Sequence, residues 1–145
     1  MSDDCFIGID QGSSSTKALV LSAAGQVLFR TKKTLPSPVR EGARIEHDPL
    51  EILKSVQDAL NEAALFLRAS GFAPRGMGLS CQRSSCLIWN ESSGEPLSPV
   101  ISWRDTRGIG LVQQQASNAA AVFEATGLPL TPYYSASKFR WRCRT

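Results

Sequence analysis

The chain has 145 residues, 42% of them hydrophobic and 20% charged, a composition typical of one soluble globular domain with a substantial core. No stretch approaches the roughly 20 apolar residues of a membrane-spanning helix, which excludes a membrane role. Four basic residues near the end of the chain account for the net charge of +3, and without them 12 basic residues face 13 acidic ones, so nucleic-acid binding is not expected.

Short strands dominate the first quarter of the predicted structure. Apolar and β-branched residues predict strands at 5–10, 15–22 and 26–33, the last two joined by a hairpin turn at 22–25. Residues 36–42 are predicted to form a loop, because two prolines in this stretch cannot continue a β-ladder.

A long amphipathic helix is predicted next. Asp48 is a suitable N-cap, Pro49 fits the first helical position and Glu51 the third, and apolar residues recur at helical spacing until Ser70-Gly71. A strand is then expected at about 76–81. A hairpin follows, with strands at 86–89 and 97–102 around a turn at 90–94.

The final part of the chain is predicted to be helical, at residues 105–118 and 119–126, and residues 140–145 look like an interrupted helix. The order of three strands, a helix, a strand, a hairpin and helices predicts a mixed α/β sheet. The four cysteines include no Cys-x-x-Cys pair, and the one histidine, His47, is distant from them in sequence, which argues against a metal centre. The acidic N-terminus is unlike a secretory signal, so we expect a cytoplasmic protein with reduced thiols.

Residues 10–17, with the sequence DQGSSSTK, form the most informative segment. A carboxylate ends a strand, a glycine opens a turn, hydroxyl residues line it and a lysine follows. Turn N–H groups and hydroxyls can hold phosphate oxygens, and a hydrated magnesium ion needs only one or two carboxylates. An ordinary hairpin is the alternative, because glycine and serine are common turn residues.

Five segments in order resemble the N-terminal part of the FGGY-type carbohydrate kinases, the group that includes glycerol kinase and xylulokinase, within the actin-like ATPase (ribonuclease H-like) superfamily. The segments are 8–17 (GIDQGSSSTK), 45–49 (IEHDP), 80–83 (SCQR) with the strand ending at Trp89, 103–107 (WRDTR), and 126–128 (TGL) with 132–138 (PYYSASK). The resemblance spans nearly the whole chain. It implies an actin-like α/β domain that begins β-β-β-α-β and is incomplete.

For the corner at 10–17 the resemblance implies a site for the phosphates of ATP and for Mg²⁺. Asp10 would contact the magnesium ion through water, while Gly12, Ser13 and Ser14 would donate hydrogen bonds to the transferred phosphate. Lys17 would place a positive charge beside it, although a solvated lysine on an exposed strand is an equal alternative. Phosphoryl transfer depends mainly on such positioning and charge neutralisation.

For the substrate, a sugar or polyol, the resemblance implies five residues. Arg83 would donate two hydrogen bonds to neighbouring hydroxyls, Trp103 and Tyr133 would cover the carbon face, and Asp105 would accept hydroxyl protons. Ser84 stands where glycerol kinase has a substrate-binding glutamate, which argues against a glycerol-specific site. Without the resemblance, a core tryptophan and a surface arginine are the more ordinary interpretation. Lone His47 is interpreted as a helix-start residue.

The resemblance also implies that residues 1–145 are only part of the sugar-binding domain, without the second, nucleotide-binding domain. The catalytic base would lie beyond Thr145, so the predicted function is that of an N-terminal fragment of an ATP-dependent sugar or polyol kinase, inactive alone. The alternatives are a non-catalytic actin-like fragment and another actin-like ATPase. Apolar surface left uncovered by missing segments would favour self-association.

Overall fold

A computed structural model describes residues 4–144, which divide into two compact units. The first unit contains residues 4–37 and 49–82, and the second contains residues 38–48 and 83–144. Within the described residues, no helix has the length and apolar character needed to cross a membrane.

The first unit is a four-stranded mixed sheet with one long helix. Its strands are β1 (Asp4–Gln11), β2 (Ser15–Ser22), β3 (Val27–Thr34) and β6 (Ala73–Cys81), and its helix is α1 (Pro49–Ser70). The order across the sheet is β3-β2-β1-β6. β1 pairs antiparallel with β2 and parallel with β6, so the crossover through α1 gives the predicted β-β-β-α-β start.

The core of this unit lies between one face of the sheet and α1. Alternate residues of β1 and β2, among them Cys5, Ile9 and Val20, are buried against small residues of the helix, Ala59 and Ala63. Alternate side chains of the strands point to one face of the sheet, and they pack there against the side chains that lie along one face of α1. The predicted strands at 5–10, 15–22 and 26–33 and the helix at 48–70 are confirmed within one or two residues.

The second unit has little regular structure. Its three-stranded sheet, in the order β4-β5-β7, contains β4 (Val39–Glu41), β5 (Arg44–His47) and β7 (Val100–Ile101). Its helices are α2 (Ile109–Gln113), α3 (Ala119–Thr126) and α4 (Ser135–Arg142), with a 3₁₀ turn at Ala116–Asn118.

The helix predicted at 119–126 is confirmed as α3, whereas three other predictions, for residues 36–42, 86–102 and 105–118, hold only in part. Residues 36–42 are not all loop, because the chain after Pro38 forms β4 and turns back at Gly42, whose φ is 57°. The hairpin at 86–102 is reduced to two isolated bridges and the short β7. The helix expected from 105 begins only at 109, because Asp105 is held in a turn by its side chain. The helix suspected at 140–145 is the end of α4, and Thr145 lies outside the described residues.

Candidate active site

The turn between β1 and β2 carries the residues predicted to bind phosphate. Antiparallel pairing places Asp10 opposite Lys17 and Gln11 opposite Thr16, so residues 12–14 form the connection. The N–H of Gly12 donates to the carbonyl oxygen of Ser15 at 3.0 Å and closes the turn. The structure therefore brings Asp10, Gly12, Ser13, Ser14 and Lys17 together at one end of two neighbouring strands.

Two carbonyl groups of this turn, those of Gly12 and Ser14, already have protein donors. The carbonyl oxygen of Gly12 accepts from the Gln11 side chain at 2.7 Å, and that of Ser14 accepts from the N–H of Leu35 at 2.9 Å. Within residues 4–144, no hydrogen bond uses the N–H of Ser13 or of Ser14. The turn therefore offers two successive backbone donors to its surroundings while two of its three carbonyls are engaged, an arrangement that suits an anion.

A buried hydrogen bond beside this turn and close packing at Gly12 constrain its shape. The hydroxyls of Thr16, which is fully buried, and Ser55 of α1 lie 2.6 Å apart. Ser55 donates to the carbonyl oxygen of Ile52, so its single proton is committed and Thr16 is the donor between the two hydroxyls. At Gly12 a Cβ atom would lie 3.2 Å from the carbonyl oxygen of Ser15, so a larger side chain would press on the closing hydrogen bond.

Asp10 and Lys17 form an exposed ion pair. The Lys17 Nζ lies 3.4 Å from the Asp10 Oδ2, and the two side chains are 54% and 56% exposed. Such a pair contributes little to stability, so both groups remain available to a ligand. Asp10 is one carboxylate without a cluster around it, since residues 4–144 contain no group of three or more His, Cys, Asp or Glu side chains placed to hold a metal. A magnesium ion that keeps most of its waters is compatible with this donor set.

The aromatic residues predicted to contact substrate lie together in the second unit. The rings of Trp103 and Tyr133 meet edge-on, with centroids 5.7 Å apart and planes at 62°, and Tyr134 packs edge-on against Tyr133 at 5.0 Å. Both Trp103 and Tyr133 are partly exposed. A partly open pair of rings with their planes inclined at 62° provides an apolar surface with two walls.

Arg83 and Ser84 lie in the turn that begins this part of the chain. Arg83 is exposed, and no hydrogen bond or ion pair within residues 4–144 uses its guanidinium group. Ser84 has a φ of 62°, the left-handed conformation that residues other than glycine rarely adopt. The hydroxyl of the next residue, Ser85, accepts a hydrogen bond of 3.0 Å from the N–H of Trp103, which ties this turn to the aromatic pair.

Asp105 occupies a different environment from the other predicted substrate residues. It is only 1% exposed, and its Oδ2 accepts hydrogen bonds of 2.9 Å from the N–H of Ile45 and from the Arg107 Nε. Its Oδ1 accepts from the backbone N–H of Arg107 at 3.0 Å. Both oxygens therefore accept hydrogen bonds from the protein itself, and the contact of Asp105 with substrate hydroxyls stays a prediction.

Arg107 links Asp105 to a second buried carboxylate. Its Nη2 donates to Glu46, which is 6% exposed, and its guanidinium lies 4.1 Å from the ring centroid of Trp141. Burial alone disfavours the charged guanidinium, but the hydrogen bonds with Asp105 and Glu46 outweigh it and raise the pKa of Arg107. This cluster of two carboxylates, one guanidinium and one indole holds the segment that follows Trp103 in place.

Comparison with known proteins assigns this arrangement to a family. Residues 5–144 match the FGGY family of carbohydrate kinases, N-terminal domain. The chain belongs to the FGGY family of carbohydrate kinases. A glycerol kinase of Coxiella burnetii is 35% identical over 143 residues, which cover 94% of this chain and 28% of that enzyme. A glycerol kinase of Acidovorax ebreus is 33% identical over 142 residues, with the same coverage.

Solved structures agree with this FGGY assignment. Plasmodium falciparum glycerol kinase, crystallised with ADP, superposes with a TM-score of 0.89 at 26% identity, over 98% of this chain and 29% of that one. Xylulose kinase from Rhodospirillum rubrum gives a TM-score of 0.88 at 22% identity, over 97% and 29%. The fold is thus the actin-like ATPase fold of FGGY kinases, as predicted, and the chain spans about 28% of the length of its curated relatives.

Three residues of this FGGY domain lie within the segments that carry the resemblance, but their structural roles were not predicted. Glu46 and Arg107 are 61 positions apart, and Lys138, which is 1% exposed, looks like one of several cations near the end of the sequence. One signal was available for Arg107, because an acidic and a basic residue two apart, Asp105 and Arg107, flank a turn. Nothing local marked Lys138 as buried.

Proposed function

We propose that this chain supplies two parts of an ATP-dependent kinase that transfers the γ-phosphoryl group of ATP to a hydroxyl of a sugar or polyol. The observation that carries the proposal is the turn at 12–14, where the carbonyls of Gly12 and Ser14 are engaged while the N–H groups of Ser13 and Ser14 are free to donate. Phosphoryl transfer is driven by positioning and charge neutralisation, and such a turn supplies both to a phosphate.

On this proposal the corner at residues 10–17 binds Mg–ATP. Ser13 and Ser14 donate to phosphate oxygens, Lys17 adds positive charge, and Asp10 accepts hydrogen bonds from water molecules around Mg²⁺. The magnesium ion, when bound, neutralises charge that develops on the phosphates. Gly12 is required because the turn closes tightly on the carbonyl oxygen of Ser15.

The second part binds the sugar or polyol. Trp103 and Tyr133 contact its carbon face, and the free guanidinium of Arg83 donates to neighbouring hydroxyls from its rigid fork. Ser84 lies beside Arg83 and contributes a small hydroxyl. Asp105 supports this part by holding Arg107, and with both oxygens engaged it is poorly suited to act as the general base.

Chemical-shift mapping of the ¹⁵N-labelled chain tests both parts. Mg–ATP is expected to shift the amide signals of residues 12–17, and glycerol or xylulose those of residues 83–84, 103 and 133. Trp103→Ala should abolish the polyol response, while Trp89→Ala, at a tryptophan that is 64% exposed in the same unit, should leave it intact. No response to any polyol at high millimolar concentration, or an equal loss in both variants, would contradict the proposal.

Catalysis is the separate, stronger test. We expect the 145-residue chain to release no ADP from ATP with any polyol, because it spans only about 28% of the length of the glycerol kinases that it matches. Clear polyol-dependent ADP release by this chain would contradict that expectation. Cytoplasmic location and self-association stay predictions.

A further inference from the structure

Lys138 is a buried cation that the proposed chemistry does not use. It lies in α4, is 1% exposed and is the largest fully buried side chain among the described residues. A lysine is almost never buried to this degree without a partner that compensates for the lost hydration. Its position therefore calls for a specific role.

The partners of Lys138 are neutral oxygens of the segment just before α4. Its Nζ donates to the carbonyl oxygen of Pro132 at 2.8 Å and to the carbonyl oxygen of Tyr133. The hydroxyl of Ser137 reinforces the same turn, since its Oγ lies 3.1 Å from the carbonyl oxygen of Tyr134 and 3.3 Å from that of Pro132 and can donate its single proton to either. Two successive residues of α4 thus hold three successive residues of the preceding turn.

The clamped turn carries one wall of the aromatic pair. The Tyr133 ring meets Trp103 at 5.7 Å, and the Lys138 Nζ lies 6.0 Å from the Tyr133 ring centroid. Burial lowers the pKa of Lys138, and the thiol of Cys86 and the carboxylate of Asp105 partly oppose this through space. The buried charge therefore costs free energy, which a role in shaping the turn explains better than stability alone.

We propose that Lys138 is a positioning residue for the sugar-binding part: its hydrogen bonds to the carbonyls of Pro132 and Tyr133 fix the Tyr133 ring at Trp103 before substrate arrives. The substrate half of this inference rests on the proposed function. Without the clamp, Tyr133 must be ordered at the moment of binding. Ordering one side chain lowers affinity by roughly 3- to 10-fold.

The test uses the whole 145-residue chain labelled with 5-fluorotryptophan, which gives one ¹⁹F signal for each of its three tryptophans. Trp103→Phe assigns the Trp103 signal. Lys138→Met keeps the length of the side chain but removes its donors, so we expect the Trp103 signal to move or broaden, the exposed Trp89 signal to stay, and polyol affinity to fall roughly 3- to 10-fold. Lys138→Arg keeps donors and should restore much of both properties. Lys32→Met, at an exposed lysine of the other unit, controls for the lost charge.

The outcomes separate this inference from the proposed function. If the wild-type chain binds no polyol, the proposed function fails, while the Trp103 signal of Lys138→Met still decides whether the clamp exists. A folded Lys138→Met variant with an unchanged Trp103 signal overturns the inference. If that variant does not fold, the wild-type chain decides: a slowly exchanging Lys138 ammonium signal with contacts to Tyr133 protons supports the clamp, and exchange as fast as that of surface lysines overturns it.

Discussion

Replacement of Asp105 by asparagine distinguishes a supporting role for this residue from contact with substrate. The carboxylate accepts from the N–H of Ile45 and, through both oxygens, from Arg107. Asparagine keeps one acceptor oxygen but presents an NH₂ group in place of the other, so a donor would face the donors of Arg107. The negative charge is lost as well, which leaves Glu46 as the remaining buried counter-charge of Arg107.

The expected loss of stability is large because Asp105 is only 1% exposed. Breaking a buried ion pair from one side costs about 3–5 kcal/mol. Since Glu46 still pairs with Arg107 and one acceptor oxygen remains, the lower end, about 3 kcal/mol, is expected for Asp105→Asn. Single domains are stable by about 5–15 kcal/mol, so this loss is a substantial fraction of the total.

Urea unfolding followed by circular dichroism measures this loss, and polyol titration of the folded variant measures the effect on binding. Glu91→Gln, an equivalent charge change at an exposed site of the same unit, should alter stability by less than about 0.5 kcal/mol. If Asp105→Asn is as stable as the wild type and yet loses polyol binding more than about tenfold, the supporting role is refuted and direct contact with substrate is favoured.

Three further predictions concern the corner at 10–17, its buried contact with α1, and His47 at the end of β5. Ser55→Ala leaves the buried hydroxyl of Thr16 without an acceptor and should cost about 1–3 kcal/mol in urea unfolding, and adding Thr16→Val should recover part of the loss rather than add to it. Burial and, to a lesser extent, the charge of Arg40 lower the pKa of His47 below its ordinary value of 6.5. The unfolded chain therefore binds the proton more readily than the folded chain, so the free energy of unfolding should fall as pH drops below about 6.5. His47→Asn should remove this pH dependence. Gly12→Ala should weaken Mg–ATP binding in shift titrations, whereas Gly110→Ala, where a Cβ meets open space, should leave it unchanged.

Local sequence patterns were sufficient for the first unit, whereas in the second they gave α3 and only parts of the other elements. β1–β3 and α1 follow from short-range periodicity and capping signals, which suffice when a sheet face and a helix bury each other. β4 was missed because Pro36 and Pro38 argue against a strand, although pairing begins only after them, at Val39. In the second unit, side-chain contacts between residues far apart in sequence hold the structure together, and little of the backbone is in helices or strands.

The candidate site divides in the same way. The corner at 10–17 is continuous in sequence, so its composition and its strand–turn–strand geometry were both predictable. The engagement of Asp105 with Ile45, 60 positions away, and the burial of Lys138 depend on tertiary packing that no local pattern encodes. Residue type therefore predicted which side chains would contact a ligand, but not which of them the protein itself buries and engages.

The left-handed backbone at Ser84 limits how substrate preference can be engineered at that position. Any side chain placed there changes the chemistry beside Arg83 and the conformational cost of a φ of 62° together. Glycine or asparagine relaxes the turn, whereas a β-branched residue strains it, whatever hydroxyl or charge it brings. For a set of variants substituted at position 84, both the stability and the ligand preference of each variant must therefore be measured. A variant that makes a better contact with the ligand can otherwise be missed because it folds poorly.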